Sequence, residues 1–336
     1  MNTSNSSISL TEGLFPSAVY WSLKSIVSLV AVFGNGIVMW LICTRKRLHC
    51  TANWYVLSLA TADFCTGLVI TPSELICLWK PAMCIWPLAL RGSFYNYPIS
   101  VSIYSLCVLT LDRYLCVLYP LKYTRCKTSK LVVGLISLSW TLPGILNFTC
   151  LFWLAAPISF QDTANKVVTI VQILLVTSLP SILLVYAYTR ILFAAVKQRR
   201  RSREHISQLR FNHKAGGSEQ LMSQRSHQRF STVKILGLII TFFVLCWIPS
   251  LYRAICEEFV SCTVSASVVQ ISRLFILLNS GINFAVYAFL KKDIRTELCN
   301  TCRKARTRSR EHFYLIKRSS RASSNDFNRS SVKGSR

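Results

Sequence analysis

Seven long apolar stretches decide which architecture this chain can adopt. Each is long enough, at about twenty residues or more, to cross the hydrocarbon core of a membrane as an α-helix. Their apolar residues run on without the alternation of barrel strands, which favours helices. Hydrophobic residues make up 52% of the chain and the mean hydropathy is +0.40, values that exclude an ordinary soluble protein. The stretches cover residues 19–43, 52–79, 87–118, 131–153, 167–196, 233–255 and 266–290.

The positive charge of the chain indicates how these helices are oriented. The net charge is +26, and the basic residues concentrate in every second loop and in the C-terminal tail. Such loops stay on the cytoplasmic side, so the N-terminus, with glycosylation sequons at Asn2 and Asn5, is predicted to lie outside the cell. Basic segments beside a membrane meet anionic lipid and acidic proteins, and we expect no nucleic-acid partner. The basic segments are 45–47, 122–130, 197–229 and 291–336.

The predicted fold is an all-α membrane protein with one bundle of seven transmembrane helices. An extracellular N-terminal tail, residues 1–18, precedes the membrane domain at residues 19–290. A basic cytoplasmic tail follows at residues 291–336. Residues 289–298 predict a short amphipathic helix just after the seventh span.

Two pairs of cysteines stand at positions that suggest a modification. Cys256 and Cys262 fall in the predicted outer loop between the last two spans and can close a small disulfide ring. Cys299 and Cys302 follow the amphipathic segment just inside the membrane. Palmitoylation adds an anchor at such positions, and free thiols are the alternative.

A charge pair, Asp112 and Arg113, stands where the third apolar stretch gives way to a basic loop. Ionisable groups at membrane depth cost several kcal/mol unless they are paired or hydrated, so those that persist usually mark a functional site. Most of the other stretches also carry one comparable polar residue. This combination indicates a membrane protein with a functional polar interior.

These interruptions, in their order along the chain, resemble the rhodopsin-like (class A) family of G-protein-coupled receptors over nearly the whole sequence except the tail. The resemblance implies a seven-helix receptor in the plasma membrane and no enzyme activity. It also implies an extracellular ligand, a heterotrimeric G protein, and arrestin and receptor kinases as partners. The residues that carry it are Gly34-Asn35, Asp63, Asp112-Arg113-Tyr114, Trp140, Pro180, Tyr188, Cys246-Trp247-Ile248-Pro249, Asn283 and Tyr287.

The resemblance also assigns a coupling function to particular residues. Arg113 is expected to contact the G protein, and the tail serines within residues 318–324 stand beside bases that suit kinases. A secondary transporter is the alternative class, but it predicts inverted repeats, and no repeat between the halves is evident. The coupling and switch residues are Asp112, Arg113, Tyr114, Tyr188, Asn283 and Tyr287.

The usual outer disulfide of the family is not expected here. Its cysteine at the outer end of span three is replaced by Leu88, and the second outer loop, predicted at residues 154–166, contains no cysteine. A bond between Cys84 and Cys150 is the alternative.

Three further departures from the family concern function. Phe284 replaces the proline that follows Asn283, so span seven is predicted to be less kinked. Arg229 stands where many members carry an acid that pairs with the arginine of span three. Amine receptors carry an aspartate where this chain has Tyr95, which predicts a small molecule or peptide that is non-aminergic.

The outer half of the bundle offers more bases than acids, which favours an anionic or zwitterionic ligand. Arg273 lies well inside span seven and is expected either to contact the ligand or to pair with Glu74. Arg91 and Arg253 lie nearer the rim, where they can reach water. The predicted ligand-binding residues are Glu74, Arg91, Tyr95, Gln172, Trp247, Arg253 and Arg273.

No cofactor is expected, apart from an allosteric sodium ion. Asp63, Ser102, Asn279, Ser280 and Asn283 match the sodium-pocket positions of the family, and one carboxylate with several neutral oxygens suits a small hard cation. The alternative is an Asp63 that is protonated or bonded to water, with no ion.

Overall fold

A computed structural model describes most of the chain. Asn2, Asn5, Cys84 and the tail serines lie outside the described residues, and the side chain of Arg229 is not described either. The described residues are helical with short connections and contain no strand. They are 17–80, 88–126, 128–211, 218–260, 262–291, 293–303 and 306–307.

Seven helices within these residues are long and apolar enough to cross a membrane. Spans one to four are α1, α2, α3 and α5, span five is α6 with α7, and spans six and seven are α8 and α9. The short helix α4 lies in the loop between spans three and four. The bounds are α1 Ser17–Thr44, α2 Thr51–Trp79, α3 Leu88–Leu118, α4 Pro120–Cys126, α5 Ser129–Phe148, α6 Ile158–Gln172, α7 Leu179–Phe211, α8 Ser218–Ile255 and α9 Ala266–Leu290.

Close contacts between small and polar residues hold the spans together. Span one packs against spans two and seven, and span three packs against spans two, four and five. The Ser28 hydroxyl of span one donates to the Gly67 carbonyl of span two at 2.5 Å. A Cβ added at Gly34 of span one would overlap the ring of Phe284 in span seven. Helices in lipid associate through such small-residue contacts and interhelical hydrogen bonds.

Span five begins earlier than its apolar stretch predicted. Helix α6 starts at Ile158, so most of the segment expected to be a loop at residues 154–166 is helical. The physical reason is that no proline or glycine interrupts residues 158–179. A π-helical turn, Ile173–Ser178, then precedes Pro180, and such a turn lets a helix continue where proline removes a backbone donor.

The connection between spans six and seven is closed by a disulfide. A π-helical turn, Cys256–Val260, extends span six, and Cys256 is bonded to Cys262. Cys77 is also disulfide-bonded, whereas Cys150 is a free, buried thiol. The pairing of Cys84 with Cys150 that the sequence left open is therefore not formed.

A short helix, α10, covers residues 293–303 and belongs to a separate unit of the chain. The predicted amphipathic segment began at residue 289, but span seven continues to Leu290. Cys299 and Cys302 lie on α10 as exposed free thiols.

Candidate functional site

A cavity of about 170 Å³ lies between spans three to seven, at the end of the bundle where α1 begins. Apolar side chains such as Ile99 and Ile276 form part of its wall. Three of the predicted ligand-binding residues line it, namely Gln172, Trp247 and Arg253. Its volume lies below the roughly 300–1,000 Å³ of sites for drug-sized molecules, so it suits a small ligand.

One face of span six presents hydrogen-bond donors to this cavity. Trp247 Nε1, Ser250 Oγ and Arg253 Nε are buried, and none of them has a hydrogen-bond partner in the protein. The three residues follow one another at helical spacing, which puts them on the same side of α8. Buried polar groups are usually hydrogen-bonded, so these atoms are available to a ligand or to water.

An acceptor faces the cavity from span four. Asn147 is 2% exposed, and its Nδ2 donates to the Ser100 hydroxyl at 3.1 Å and to the Pro143 carbonyl at 2.8 Å. Its Oδ1 has no partner. The bonds of Nδ2 thus hold the amide in place, while Oδ1 can accept a hydrogen bond from a ligand.

Arg253 and Glu257 are the only ionisable side chains among the described residues that line the cavity. Arg253 Nε lies 3.8 Å from the nearer Glu257 carboxylate oxygen, which is beyond hydrogen-bond distance. Arg253 Nη1 donates to the Ser272 hydroxyl at a long 3.4 Å. Both charged side chains remain partly exposed, at 28% and 48%. The guanidinium therefore has only weak partners within the protein.

A second polar cluster joins spans one, two, three and seven. Lys24 is fully buried and forms an ion pair with Glu74. The Arg273 guanidinium interacts electrostatically with the Tyr20 hydroxyl, and the buried Tyr95 hydroxyl has no partner. The predicted ion pair between Arg273 and Glu74 is not formed, because Lys24 already holds the Glu74 carboxylate.

Arg91 lies neither at the cavity nor in the second polar cluster. It is exposed, and its Nη1 lies 3.9 Å from the Cys77 sulfur. Among the predicted ligand-binding residues, Glu74, Tyr95 and Arg273 thus share the second cluster, while Arg91 lies at the surface.

Asp63 lies at the centre of the bundle and is fully buried. It accepts hydrogen bonds from the Ser102 hydroxyl at 2.7 Å and from Asn283 Nδ2 at 2.9 Å. Ser280 and Asn279 are buried on the same span as Asn283. No cluster of three or more His, Cys, Asp or Glu side chains occurs in the described part of the chain, so any cation here would rely on this one carboxylate and neutral oxygens.

The cytoplasmic end of span three carries the charge pair that the sequence singled out. Arg113 Nη2 lies 3.0 Å from the Asp112 carboxylate, which also accepts a hydrogen bond from the Tyr123 hydroxyl at 2.7 Å. Tyr123 belongs to the loop helix α4, and its burial, together with the bond to Asp112, raises its pKa. Its hydroxyl therefore remains a donor at physiological pH. A cavity of about 300 Å³ adjoins Asp112.

The other predicted switch residues lie on neighbouring spans. Tyr188 of span five packs so closely on Gly237 of span six that a Cβ there would overlap its ring. Tyr287 of span seven is 2% exposed, and its hydroxyl has no partner. The Tyr114 ring lies near that of Tyr119, with 6.2 Å between ring centroids.

Sequence reasoning missed three residues of these sites. Lys24 is a lysine inside an apolar span, a signal strong enough to have been noticed. Glu257 fell in a predicted loop and received no function. Asn147 gave no signal, since a single asparagine in an apolar stretch does not reveal which atom is left without a partner.

Sequence comparisons identify the class of protein to which this seven-helix bundle belongs. The family described as "7 transmembrane receptor (rhodopsin family)" matches residues 34–287. The chain therefore belongs to the rhodopsin family of seven-transmembrane receptors and is a receptor, not an enzyme.

Individual receptors that are similar to this chain match it over most of its length. Trace amine-associated receptor 7d from Mus musculus is 26% identical over 294 residues, covering 82% of this chain and 79% of the relative. Trace amine-associated receptor 7a from Mus musculus is 28% identical over 293 residues, with the same coverage of 82% and 79%. The 5-hydroxytryptamine receptor 4 from Homo sapiens is 27% identical over 331 residues, covering 88% of this chain and 82% of the relative.

Proposed function

We propose that this chain is a plasma-membrane receptor that binds a small extracellular ligand and activates a heterotrimeric G protein. The observation that carries the proposal is the pairing of two sites in one bundle. A cavity with unpartnered polar atoms lies at one end, and the Asp112–Arg113 pair lies at the other. The basic loops support an orientation with the N-terminus outside and the charge pair inside.

The chemistry of the ligand follows from the relatives and from the cavity. The sequence predicted a non-aminergic ligand because Tyr95 replaces an aspartate, but the relatives are named for trace amines and for 5-hydroxytryptamine. The cavity offers the carboxylate of Glu257 in place of that aspartate as a partner for an amino group. The ligand in this proposal therefore carries an amino group, and Tyr95 does not exclude it.

A sodium ion beside Asp63 is part of the same proposal. The fully buried carboxylate has Ser102, Ser280 and Asn283 around it, and a cation would offset the cost of burying its charge. In the alternative, these neutral donors stabilise Asp63 without an ion. Arrestin and receptor kinases are proposed as partners of the tail on the strength of the family alone.

Nucleotide exchange on purified G proteins tests the coupling. The receptor, reconstituted in lipid, should accelerate exchange on at least one class of α-subunit, and Arg113→Ala should abolish that acceleration. Lys130→Ala is the matched control, since Lys130 is an exposed base at the start of span four, and it should behave as the parent. Full exchange in the Arg113→Ala receptor would contradict the coupling function, as would a parent receptor that activates no α-subunit class.

A further inference from the structure

We infer that the ligand of the outer cavity is a small zwitterion, with its carboxylate on Arg253 and its ammonium on Glu257. This inference rests on the proposed function, because it concerns the ligand of the same site. It assigns the binding of the amino group to the end of span six rather than to span three.

The charge balance of the cavity leads to a zwitterion. The described lining residues include one cation and one anion, Arg253 and Glu257. A simple amine would place its charge beside the Arg253 guanidinium without compensating it, and a simple carboxylate would do the same beside Glu257. A group left charged and unpaired in a partly dry site costs free energy. A ligand with both charges leaves neither protein group uncompensated.

The geometry of the pair leaves room for that exchange of partners. Arg253 Nε is buried and makes no hydrogen bond, and its distance of 3.8 Å from the Glu257 carboxylate exceeds a normal charge-assisted bond of about 2.7–2.9 Å. The Ser272 contact at 3.4 Å is also long. A ligand carboxylate would therefore replace weak contacts rather than strong ones.

The position of Glu257 is fixed by the chain around it. It follows Cys256 directly, within the ring closed by the disulfide to Cys262, and it lies in the π-helical turn that continues span six. A carboxylate held on such a short ring loses less freedom on binding than one on an open loop, which favours its use as a ligand contact.

Further polar atoms define the interior of the site. The Asn147 Oδ1 acceptor and the Ser250 hydroxyl are unpartnered, and both residues are at least nine-tenths buried, at 2% and 8% exposed. They can bind a second polar group on the ligand, on the span-four and span-six walls respectively. The small volume of about 170 Å³ fits a molecule of amino-acid size.

Binding to the purified receptor, measured without a G protein, tests this inference. The probes form three series built on alanine, leucine and phenylalanine. Each series contains the amino acid, the amine that lacks the carboxylate, and the acid that lacks the amino group. In at least one series the amino acid should bind on the order of tenfold more tightly than both of its counterparts, as expected when one buried charge partner is lost.

Two variants locate the charges. Glu257→Gln should shift the preference toward the acid, and Arg253→Gln should shift it toward the amine. Asp162→Asn and Arg190→Gln are the matched controls, since both are exposed and do not line the cavity, and they should keep the preference of the parent. Thermal unfolding without probe identifies any variant that fails to fold.

Three outcomes of these binding measurements would overturn the inference. They are tighter binding of an amine or an acid than of its amino acid in every series, binding of no probe, or a preference that ignores both variants. Ligand-independent nucleotide exchange, lost in Arg113→Ala, tests the proposed coupling separately. Normal nucleotide exchange together with one of these outcomes would leave the proposed coupling function standing and would contradict only the assignment of a zwitterionic ligand.

Discussion

Lys24 and Glu74 form an ion pair that joins span one to span two inside the bundle. The Lys24 side chain is 0% exposed and the Glu74 side chain 17%. Lys24 Nζ also lies 5.6 Å and 5.5 Å from the ring centroids of Tyr20 and Trp21. Removing one charge would leave the other unpaired at membrane depth, while removing both would leave an apolar contact.

The first prediction is that Lys24→Met or Glu74→Gln alone destabilises the receptor. Breaking a buried pair costs about 3–5 kcal/mol because one charge remains uncompensated. Lys24→Met combined with Glu74→Met should recover most of the loss. Thermal unfolding of the purified variants measures the effect, with Lys130→Met as the control at an exposed base. Single variants with the same unfolding temperature as the parent would show that the ion pair contributes nothing to stability.

The second prediction concerns the bond between Tyr123 and Asp112. The Tyr123 hydroxyl ties the loop helix α4 to the charge pair of span three, and a hydrogen bond to a charged group contributes about 1.5–3 kcal/mol. Tyr123→Phe should free α4 and change ligand-independent nucleotide exchange several-fold, with a rise expected because the loop helix then no longer restrains the cytoplasmic end of span three. The control is Tyr186→Phe, at an exposed tyrosine of span five, which should leave exchange unchanged. Equal exchange rates in the parent, Tyr123→Phe and Tyr186→Phe receptors would refute the coupling of α4 to Asp112.

The third prediction tests the cation at Asp63. Replacing an organic cation by sodium at constant ionic strength should raise the unfolding temperature of the parent receptor, because only sodium is small enough to enter among the oxygens around the carboxylate. Asp63→Asn should remove the difference between the two salts. Asp162→Asn, which alters an exposed carboxylate, serves as the control. A parent receptor that unfolds at the same temperature in both salts would exclude the site.

The fourth prediction uses the close approach of spans one and seven. A Cβ at Gly34 would overlap the Phe284 ring, whereas a Cβ at Gly36 would meet Phe64 at an ordinary 3.6 Å. Gly34→Ala should therefore destabilise the receptor by about 1–3 kcal/mol, the usual cost of overpacking, and Gly36→Ala should not. Adding Phe284→Ala to Gly34→Ala should relieve most of the strain. Unfolding temperatures check all three variants, and a neutral Gly34→Ala would mean that the spans separate at little cost.

The sequence alone determined the number of spans, the family and the chemistry of the span-three pair. These features depend on local composition: a membrane requires about twenty apolar residues for each helix, and it makes every ionisable residue inside a span conspicuous. The same reasoning placed Asp63, Ser102 and Asn283 together, since the order of interruptions along the chain resembles that of a family with a known fold.

The tertiary structure decided which polar groups meet. Arg273 and Lys24 are both cations inside spans, yet only Lys24 reaches the Glu74 carboxylate. Likewise Arg253 and Gln172 line the cavity while Arg91 does not. Spacing along one helix fixes which side chains share a face, but the partner of each face depends on how neighbouring helices are rotated and how closely they pack. That rotation is set by contacts such as Gly34 with Phe284, which involve residues far apart in sequence.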